Sequence, residues 1–375
     1  MARAVARIVP EATGVVIAPG GRRNASPRRA GRIRILNGDH PVPRRATFAA
    51  TRALLRALDR WPENATVLFL LSGGASALLE SPSPGLSSAD LTALNRWLLR
   101  CGAPIGVMNA VRKHASAVKG GRLALRAAPR EVVTLALSDV PGDELATIGS
   151  GPAVGDRSTF VEALRRLRRS HDAVPLPPRV WAHFVAGSTG TIDETPTPGD
   201  PRLRRTAAAV IGANATALDA AAAVARSLGY VVRQHRVRLE GEAAPCARRL
   251  VRRLPSAPVR PTCVLGGGET VVTAAGSSGT GGRCQEMALA AAPGIAGTGW
   301  TILFAGTDGR DGQTGVAGAF VDGTTARRAG RRRLAHALRD HDSHPLLRHL
   351  GDLLRTGPTG TNVMDVAIAL HPGVA

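Results

Sequence analysis

Eight glycine-rich polar segments hold the residues of this chain most able to do chemistry. The first is Leu71-Ser-Gly-Gly-Ala-Ser-Ala-Leu78, directly after an apolar run. In open α/β sheets, ligands bind beyond the carboxyl ends of strands. Gly73 and Gly74 let backbone N–H groups approach an anion, and Ser72 and Ser76 add hydroxyl donors. Neither G-x-x-x-x-G-K-[ST] nor G-x-G-x-x-G occurs in the chain, so this is neither a Walker A loop nor a dinucleotide fingerprint. The same residues also suit an ordinary tight turn. The second segment, Asn109-Ala-Val-Arg-Lys-His-Ala-Ser-Ala-Val-Lys-Gly-Gly-Arg122, contains Lys113 and Lys119, the only lysines of the chain. A lysine is a compact, flexible point charge that arginine does not replace. If the segment is helical, Arg112, Ser116 and Lys119 share one face. A cationic face of that kind suits phosphate or carboxylate, and it also describes a solvated basic helix.

Two aspartates follow the apolar run Glu131–Leu137, in Ser138-Asp-Val-Pro-Gly-Asp143. Asp139 lies just past the strand end, and Pro141-Gly142 turns the chain back toward Asp143. Such a pair could hold Mg²⁺, which takes one or two carboxylates and keeps several waters, or could make Asx turns in a structural loop. Ile148-Gly-Ser-Gly-Pro152 adds backbone donors. Gly266-Gly-Gly-Glu-Thr270 puts Glu269 between the end of one expected strand and the start of the next. In Gly279-Thr-Gly-Gly-Arg-Cys-Gln-Glu286, Arg283 opens a helix below a glycine run, which suits an oxyanion or phosphate clamp. Phe304-Ala-Gly-Thr-Asp-Gly-Arg-Asp-Gly312 carries Asp308 and Asp311, at spacings that do not match a calcium loop. Thr356-Gly-Pro-Thr-Gly-Thr-Asn362 is a polar turn before the last strand. Together these loops mix cations, carboxylates and flexible backbone, which describes a phosphoryl-transfer cleft, where catalysis is positioning plus charge neutralisation.

The elements that must position them alternate short apolar strands with longer helical segments, the pattern of an α/β fold with a largely parallel sheet. Strands are expected at Gly14–Ala18, Ile33–Leu36, Thr66–Leu71, Glu131–Leu137, Ala207–Ile211, Tyr230–Arg233, Thr262–Leu265, Thr270–Ala274, Thr301–Ala305 and Val363–Leu370. Helices are expected at Thr47–Leu58, Ala89–Leu99, Ala215–Leu228, Arg327–Leu338 and Leu346–Leu354. Ser87 and Asp90 have capping-box spacing, Asn214 suits an N-cap and Gly229 a C′ position. The Gly-, Pro- and Thr-rich stretch 186–201 reads as a linker or long surface loop, with a domain boundary near 197.

Composition bounds the function classes. The chain has 375 residues, 44% of them hydrophobic, enough for two cored domains and too much for a disordered chain. No apolar run approaches the ~20 residues of a membrane helix, and no signal peptide is read at the start. The net charge of +21 invites a nucleic-acid reading. The arginines are dispersed, as in Arg22-Arg23, Arg28-Arg29, Arg165–Arg169 and Arg327–Arg333, with few aromatics among them, so a solvated surface without specific nucleic-acid binding is expected. Cys101, Cys246, Cys263 and Cys284 make no C-x-x-C pair and read as reduced thiols of a cytoplasmic protein. His341 and His344 have ligand-like spacing but sit in what reads as an exposed loop.

The chain resembles the type II glycerate kinases with a C-terminal MOFRL segment. The resemblance rests on His40-Pro-Val-Pro43, Ser72–Leu78, Asn109–His114, Lys119-Gly-Gly-Arg-Leu-Ala124, Ser138–Asp143, Gly149–Pro152, Gly267–Thr270, Gly281–Glu286, Ala305–Gly309 and Thr356–Asn362, in family order. It implies ATP-dependent phosphorylation of D-glycerate to 2-phosphoglycerate with Mg²⁺ by a cytoplasmic enzyme. It also implies an N-terminal Rossmann-like α/β/α sandwich (1–197), a C-terminal mixed α/β domain (198–375, MOFRL about 262–371) and an active site in the cleft between them. Its partners would be glycerate and ATP, with no membrane partner, and a homodimer is compatible with it. Mapped onto this chain, Ser72, Gly73, Gly74 and Ser76 would cradle phosphate or substrate. Arg112, Lys113 and Lys119 would bind anionic groups. Asp139 would ligate Mg²⁺ or orient the hydroxyl, supported by Asp143. Glu269, Arg283 and Asp308 would complete the site, with Arg283 stabilising the transferring phosphoryl group. Arg283, Lys113 and Asp139 are the expected catalytic residues.

Some relatives have carried the label hydroxypyruvate reductase, which the missing dinucleotide fingerprint argues against. The family's Gly-Lys-Ala-rich first helix, with its lysine, precedes what stands here as Met1-Ala-Arg-Ala-Val. Val16-Ile-Ala-Pro-Gly20 lacks the family lysine after the first strand, Ala75 replaces a glycine and Cys284 an asparagine. The alternatives are an inactive or regulatory homologue that binds nucleotide or sugar acid, and a kinase for another small hydroxy acid.

Overall fold

A computed structural model describes residues 1–20, 28–101, 105–170, 176–234, 238–273 and 278–374. Arg22-Arg23 and the last residue of the expected strand Thr270–Ala274 lie outside these. The chain forms two compact units, one of Met1–Ala136 with Asp143–Ile211, the other of Leu137–Gly142 with Gly212–Ala375.

The first unit runs α1 (Ala2–Ile8), β1 (Gly14–Pro19), β2 (Arg28–Ala30), β3 (Ile33–Gly38), α2 (Arg45–Arg60), β4 (Thr66–Leu71), α3 (Ala75–Leu78), α4 (Ser88–Arg100), α5 (Ile105–Ala115), α6 (Arg122–Ala127), β5 (Glu131–Leu137), α7 (Phe160–Ser170), α8 (Pro178–Ser188) and β6 (Thr206–Gly212). β1 pairs parallel with β3, and β4 parallel with β5, which is also flanked by β6. Phe48, Leu94, Leu98, Val111, Phe160, Val180 and Phe184 close one core, and Leu58, Val67, Val118 and Val132 another. The capping box expected at Ser87 and Asp90 is formed.

The second unit runs α9 (Asn214–Ser227), β7 (Val231–Gln234), β8 (Leu239–Glu242), α10 (Ala243–Val251), β9 (Thr262–Val271), α11 (Arg283–Ala291), β10 (Thr301–Gly306), β11 (Gly318–Asp322), α12 (Thr325–Ala329), α13 (Arg331–Arg339), α14 (Ser343–Leu350), β12 (Leu353–Leu354) and β13 (Asp365–His371). Its sheet follows the order β12-β11-β10-β13-β9-β7, with β8 also on β9. Only β7 and β8 run parallel to β9, while the β9–β13, β13–β10, β10–β11 and β11–β12 pairs are antiparallel. The α/β class holds, and this sheet is mixed, as the resemblance implied for the C-terminal domain, rather than largely parallel as the strand–helix alternation suggested. α11 is its central helix: every residue from Cys284 to Ala291 is buried.

Three local expectations change. The two strands expected at 262–265 and 270–274 are one, because β7 and β8 pair with successive halves of β9 and carry it straight through its glycines. The helix expected at Leu346–Leu354 ends at Leu350, where Gly351 takes a left-handed φ of 78° and the chain enters β12. Asn214 does not cap α9 but is its first residue, and the Thr216 hydroxyl accepts the Ala213 N–H instead. Gly229 is left-handed just past that helix, as expected.

Candidate functional site

The second unit holds Asp139, Glu269, Arg283, Asp308 and the Thr356–Asn362 turn. The guanidinium opens α11 and donates from Nε to Asp365 Oδ2 and from Nη2 to Asp365 Oδ1 at 2.8 Å. Glu269 Oε1 lies 3.5 Å from the same Nη2. Asp365 is fully buried, Arg283 is 27% exposed and Glu269 43%, so the guanidinium bridges a dry carboxylate and a partly exposed one. Burial disfavours the charge on Arg283. The Asp365 hydrogen bonds and then Glu269 more than offset this, holding the guanidinium protonated more firmly than usual. Burial raises the Asp365 carboxyl despite Arg283. Glu269 is also raised, first by desolvation and then by Asp365, Asp139 and Asp308, against the pull of Arg283.

The glycines around Arg283 are required by close approach. A Cβ on Gly282 would overlap the Asp311 carboxylate, and one on Gly281 would overlap the Ser343 hydroxyl. Asp311 is buried and accepts from the Cys284 and Gln285 N–H groups at 3.0 and 2.9 Å. It thereby satisfies the start of α11, which Gly282 cannot cap with a side chain. His341 and His344 reach Glu286 and Gln285, each at 2.8 Å, so their exposed-loop reading gives way to anchors of α11.

Asp139 and Asp308 reach this region on loops. Thr359 donates from its hydroxyl to the Thr307 carbonyl at 2.6 Å and from its N–H to the Asp308 carbonyl at 3.2 Å. These bonds staple the Thr356–Asn362 turn onto the loop after β10. Asn362 Nδ2 then donates to Asp139 Oδ2 at 3.3 Å. Glu269 does not stand in a loop, as the glycines suggested, but projects from β9.

In the first unit, the loop after β4 carries Ser72, exposed, and Gly73 and Gly74, half-buried. Gly74 has φ 82°, which glycine adopts without cost. The Ser76 hydroxyl lies 3.2 Å from that of Ser150, which donates to Asn109 Oδ1 at 3.0 Å. The Gly149-Ser-Gly turn thus meets the serine loop. The cations of the second segment do not share a helix face, because α5 ends at Ala115 and Ser116 and Lys119 lie in the turn beyond it. Lys113 pairs with Asp156 at 2.9 Å, and Lys119 with Glu80 at 2.9 Å and with the Leu79 carbonyl at 2.6 Å. Arg112 donates to Asn95 Oδ1 at 3.0 Å. Burial lowers the Lys119 pKa, against Glu80, and that of Arg112 likewise. Asp156 also accepts from Thr195, a buried residue of the stretch that read as a linker.

A divalent cation has suitable donors. In the second unit Asp139 and Asp308 offer hard oxygens; in the first, taken by itself, Asp143 Oδ1 is buried with no hydrogen-bond partner. Among the described residues, no group of three or more His, Cys, Asp or Glu could hold a metal, but Mg²⁺ needs only one or two carboxylates with waters and phosphate oxygens. Residues that sequence reasoning missed are Asp365, Asn214 and Ser150. Asp365 lies at the start of a regular strand rather than in a glycine loop, so nothing local marks it, and the local signal at Asn214 pointed to helix capping instead.

Comparison with known proteins places the chain in a family. Residues 1–185 match a domain of unknown function, DUF4147, and residues 262–365 match the MOFRL family. A glycerate 2-kinase of Pyrococcus horikoshii is 37% identical over 378 residues, spanning 99% of this chain and 84% of its own. A protein of Agrobacterium vitis provisionally named a hydroxypyruvate reductase is 38% identical, over 91% of this chain and 78% of its own. The crystal structure of a Thermotoga maritima glycerate kinase superposes with a TM-score of 0.85 at 37% identity, covering 99% of this chain and 88% of that one. The chain belongs to this glycerate kinase family, with its MOFRL segment, and is a phosphotransferase. Among the described residues no helix is long and apolar enough to cross a membrane.

Proposed function

We propose that the chain transfers a phosphoryl group from ATP to the 2-hydroxyl of D-glycerate, giving 2-phosphoglycerate. The observation that carries the reading is Arg283. It is held protonated between a buried and an exposed carboxylate, in the unit whose loops carry Asp139 and Asp308. A cation fixed in this way neutralises charge on the transferring group without reorganising, the main demand of phosphoryl transfer. Asp139, anchored by Asn362, is the proposed Mg²⁺ ligand or hydroxyl-orienting group, with Asp143 in support. Bound Mg²⁺ would add positive charge at the phosphate oxygens. Ser72, Gly73, Gly74 and Ser76 offer hydroxyl and backbone donors to an anionic group, with Ser150 setting the Ser76 hydroxyl. The four free cysteines, three of them buried, support a reducing compartment, and we place the reaction in the cytoplasm.

The test is coupled ADP release with ATP, Mg²⁺ and D-glycerate, with the product identified by ³¹P NMR. A 2-phosphate product is expected, and Arg283→Ala should lower kcat by about 10²–10³-fold. Turnover only with another hydroxy acid would change the substrate. Nucleotide binding without turnover would make the chain a binding homologue. NAD(P)H oxidation by hydroxypyruvate would overturn the reading.

A further inference from the structure

We infer that Asp365 is a positioning residue that aims Arg283, and that Asn214 fixes Asp365 in turn. The inference rests on the kinase reading of the site. A guanidinium has five N–H donors in a rigid fork. Asp365 takes the Nε edge together with Nη2, and Glu269 lies beside Nη2. Nη1 has no hydrogen-bond partner among the described residues. The partnered edge leaves Nη1 as the corner presented to an incoming phosphoryl oxygen. Two-point attachment matters, because a single contact would let the planar group swing about that contact.

Asp365 is held by an arrangement of its own. It is the first residue of β13, and Met364 before it has a left-handed φ of 69°, which is uncommon for a side chain of that size. Such a bend persists only where its surroundings enforce it. Asn214 Nδ2 donates to the Val363 carbonyl at 2.8 Å and to the Asp365 carbonyl at 2.9 Å, gripping the backbone on both sides of Met364. The Asn214 amide in turn lies where a Cβ on Gly267 would be, so β9 approaches it with bare backbone. Neither Asp365 nor Asn214 need touch substrate. They act through the guanidinium.

The test is a double-mutant cycle on the full chain, reading kcat, both KM values and thermal midpoint, with rates normalised to folded protein. Asp365→Asn should lower kcat about 100-fold and change the KM for ATP and for glycerate less than about 3-fold. Asp365→Glu, which keeps the carboxylate, should recover part of the loss. In the Arg283→Ala background, Asp365→Asn should cost less than about 3-fold further, because its target is already gone. There it should also raise the thermal midpoint, because it removes a buried carboxylate stranded without its cation. Asn214→Asp, isosteric but without the donor, should lower kcat in the wild-type background and not in Arg283→Ala. Activity losses that multiply across the cycle, or a wild-type-like kcat in Asp365→Asn, would overturn the inference. A wild-type chain with no ADP release would sink the kinase reading, while independent thermal effects of Asp365 and Arg283 would separately sink the coupling.

Discussion

Lys119 decides between two roles for the only lysines of the chain, anion binding or internal support. Its Nζ lies 2.9 Å from Glu80 Oε2, with the two side chains 0% and 1% exposed. Removing one partner of such a pair strands a buried charge and costs about 3–5 kcal/mol. Lys119→Met keeps the aliphatic stem and leaves the Glu80 carboxylate with the Ser116 hydroxyl at 2.6 Å and the Ser81 N–H at 3.0 Å. Those two bonds place its cost near the low end, about 3 kcal/mol. Glu80→Gln leaves the ammonium with the Leu79 carbonyl as its one remaining strong acceptor and should cost about 4–5 kcal/mol. The double variant should cost less than the sum by more than ~1 kcal/mol, since neither charge is then stranded. Urea unfolding supplies the free energies, and KM for ATP and glycerate on the folded protein should change less than about 3-fold. A stability loss below about 1 kcal/mol, combined with a tenfold rise in either KM, would refute the reasoning and put Lys119 in the binding site.

Three further outcomes are expected. Burial works against ionised Asp156, but Lys113 and Ser158 outweigh it, so its carboxyl titrates below the ordinary aspartate range. As pH falls, the unfolded chain therefore takes this proton first. The stability that Asp156 supplies is complete above 3.8 and lost below it as the folded group titrates, so Asp156→Asn should flatten the acid limb of stability against pH. Gly187→Ala should gain helix propensity in α8, about 1 kcal/mol. The new Cβ would overlap the buried Phe160 ring, however, so a net loss of about 1–3 kcal/mol is expected, and any gain in thermal midpoint would contradict the packing argument. Gly282→Ala would push Asp311 off the start of α11; calorimetry should show a lower midpoint and the kinase assay a lower kcat, through the displaced Arg283.

Local signals carried much of the fold. Ser87 and Asp90 specify their capping box because donor and acceptor lie three residues apart, within reach of any helix start. Gly229 ends α9 because the left-handed turn it makes costs glycine nothing. The alternation of strands and helices gave the α/β class, and the glycine strings singled out Arg283, Asp308 and Asp139 among the residues able to do chemistry. The glycines of β9 misled at Glu269. A glycine run reads as a loop unless neighbouring strands pair along it, and β7, β8 and β13 do so here.

By itself, then, the sequence determined the element types, the glycine turns and the identity of the charged groups, all of which depend on neighbours within a few residues. Which charges met was decided by tertiary structure. Arg283 joins Asp365 across 82 positions, Asn214 grips β13 across 149, and Lys119 joins Glu80 across 39. Pairings at that separation depend on sheet register and helix docking, which local spacing does not encode. They set Lys119, paired inside the fold, apart from Arg283, whose Nη1 has no hydrogen-bond partner among the described residues.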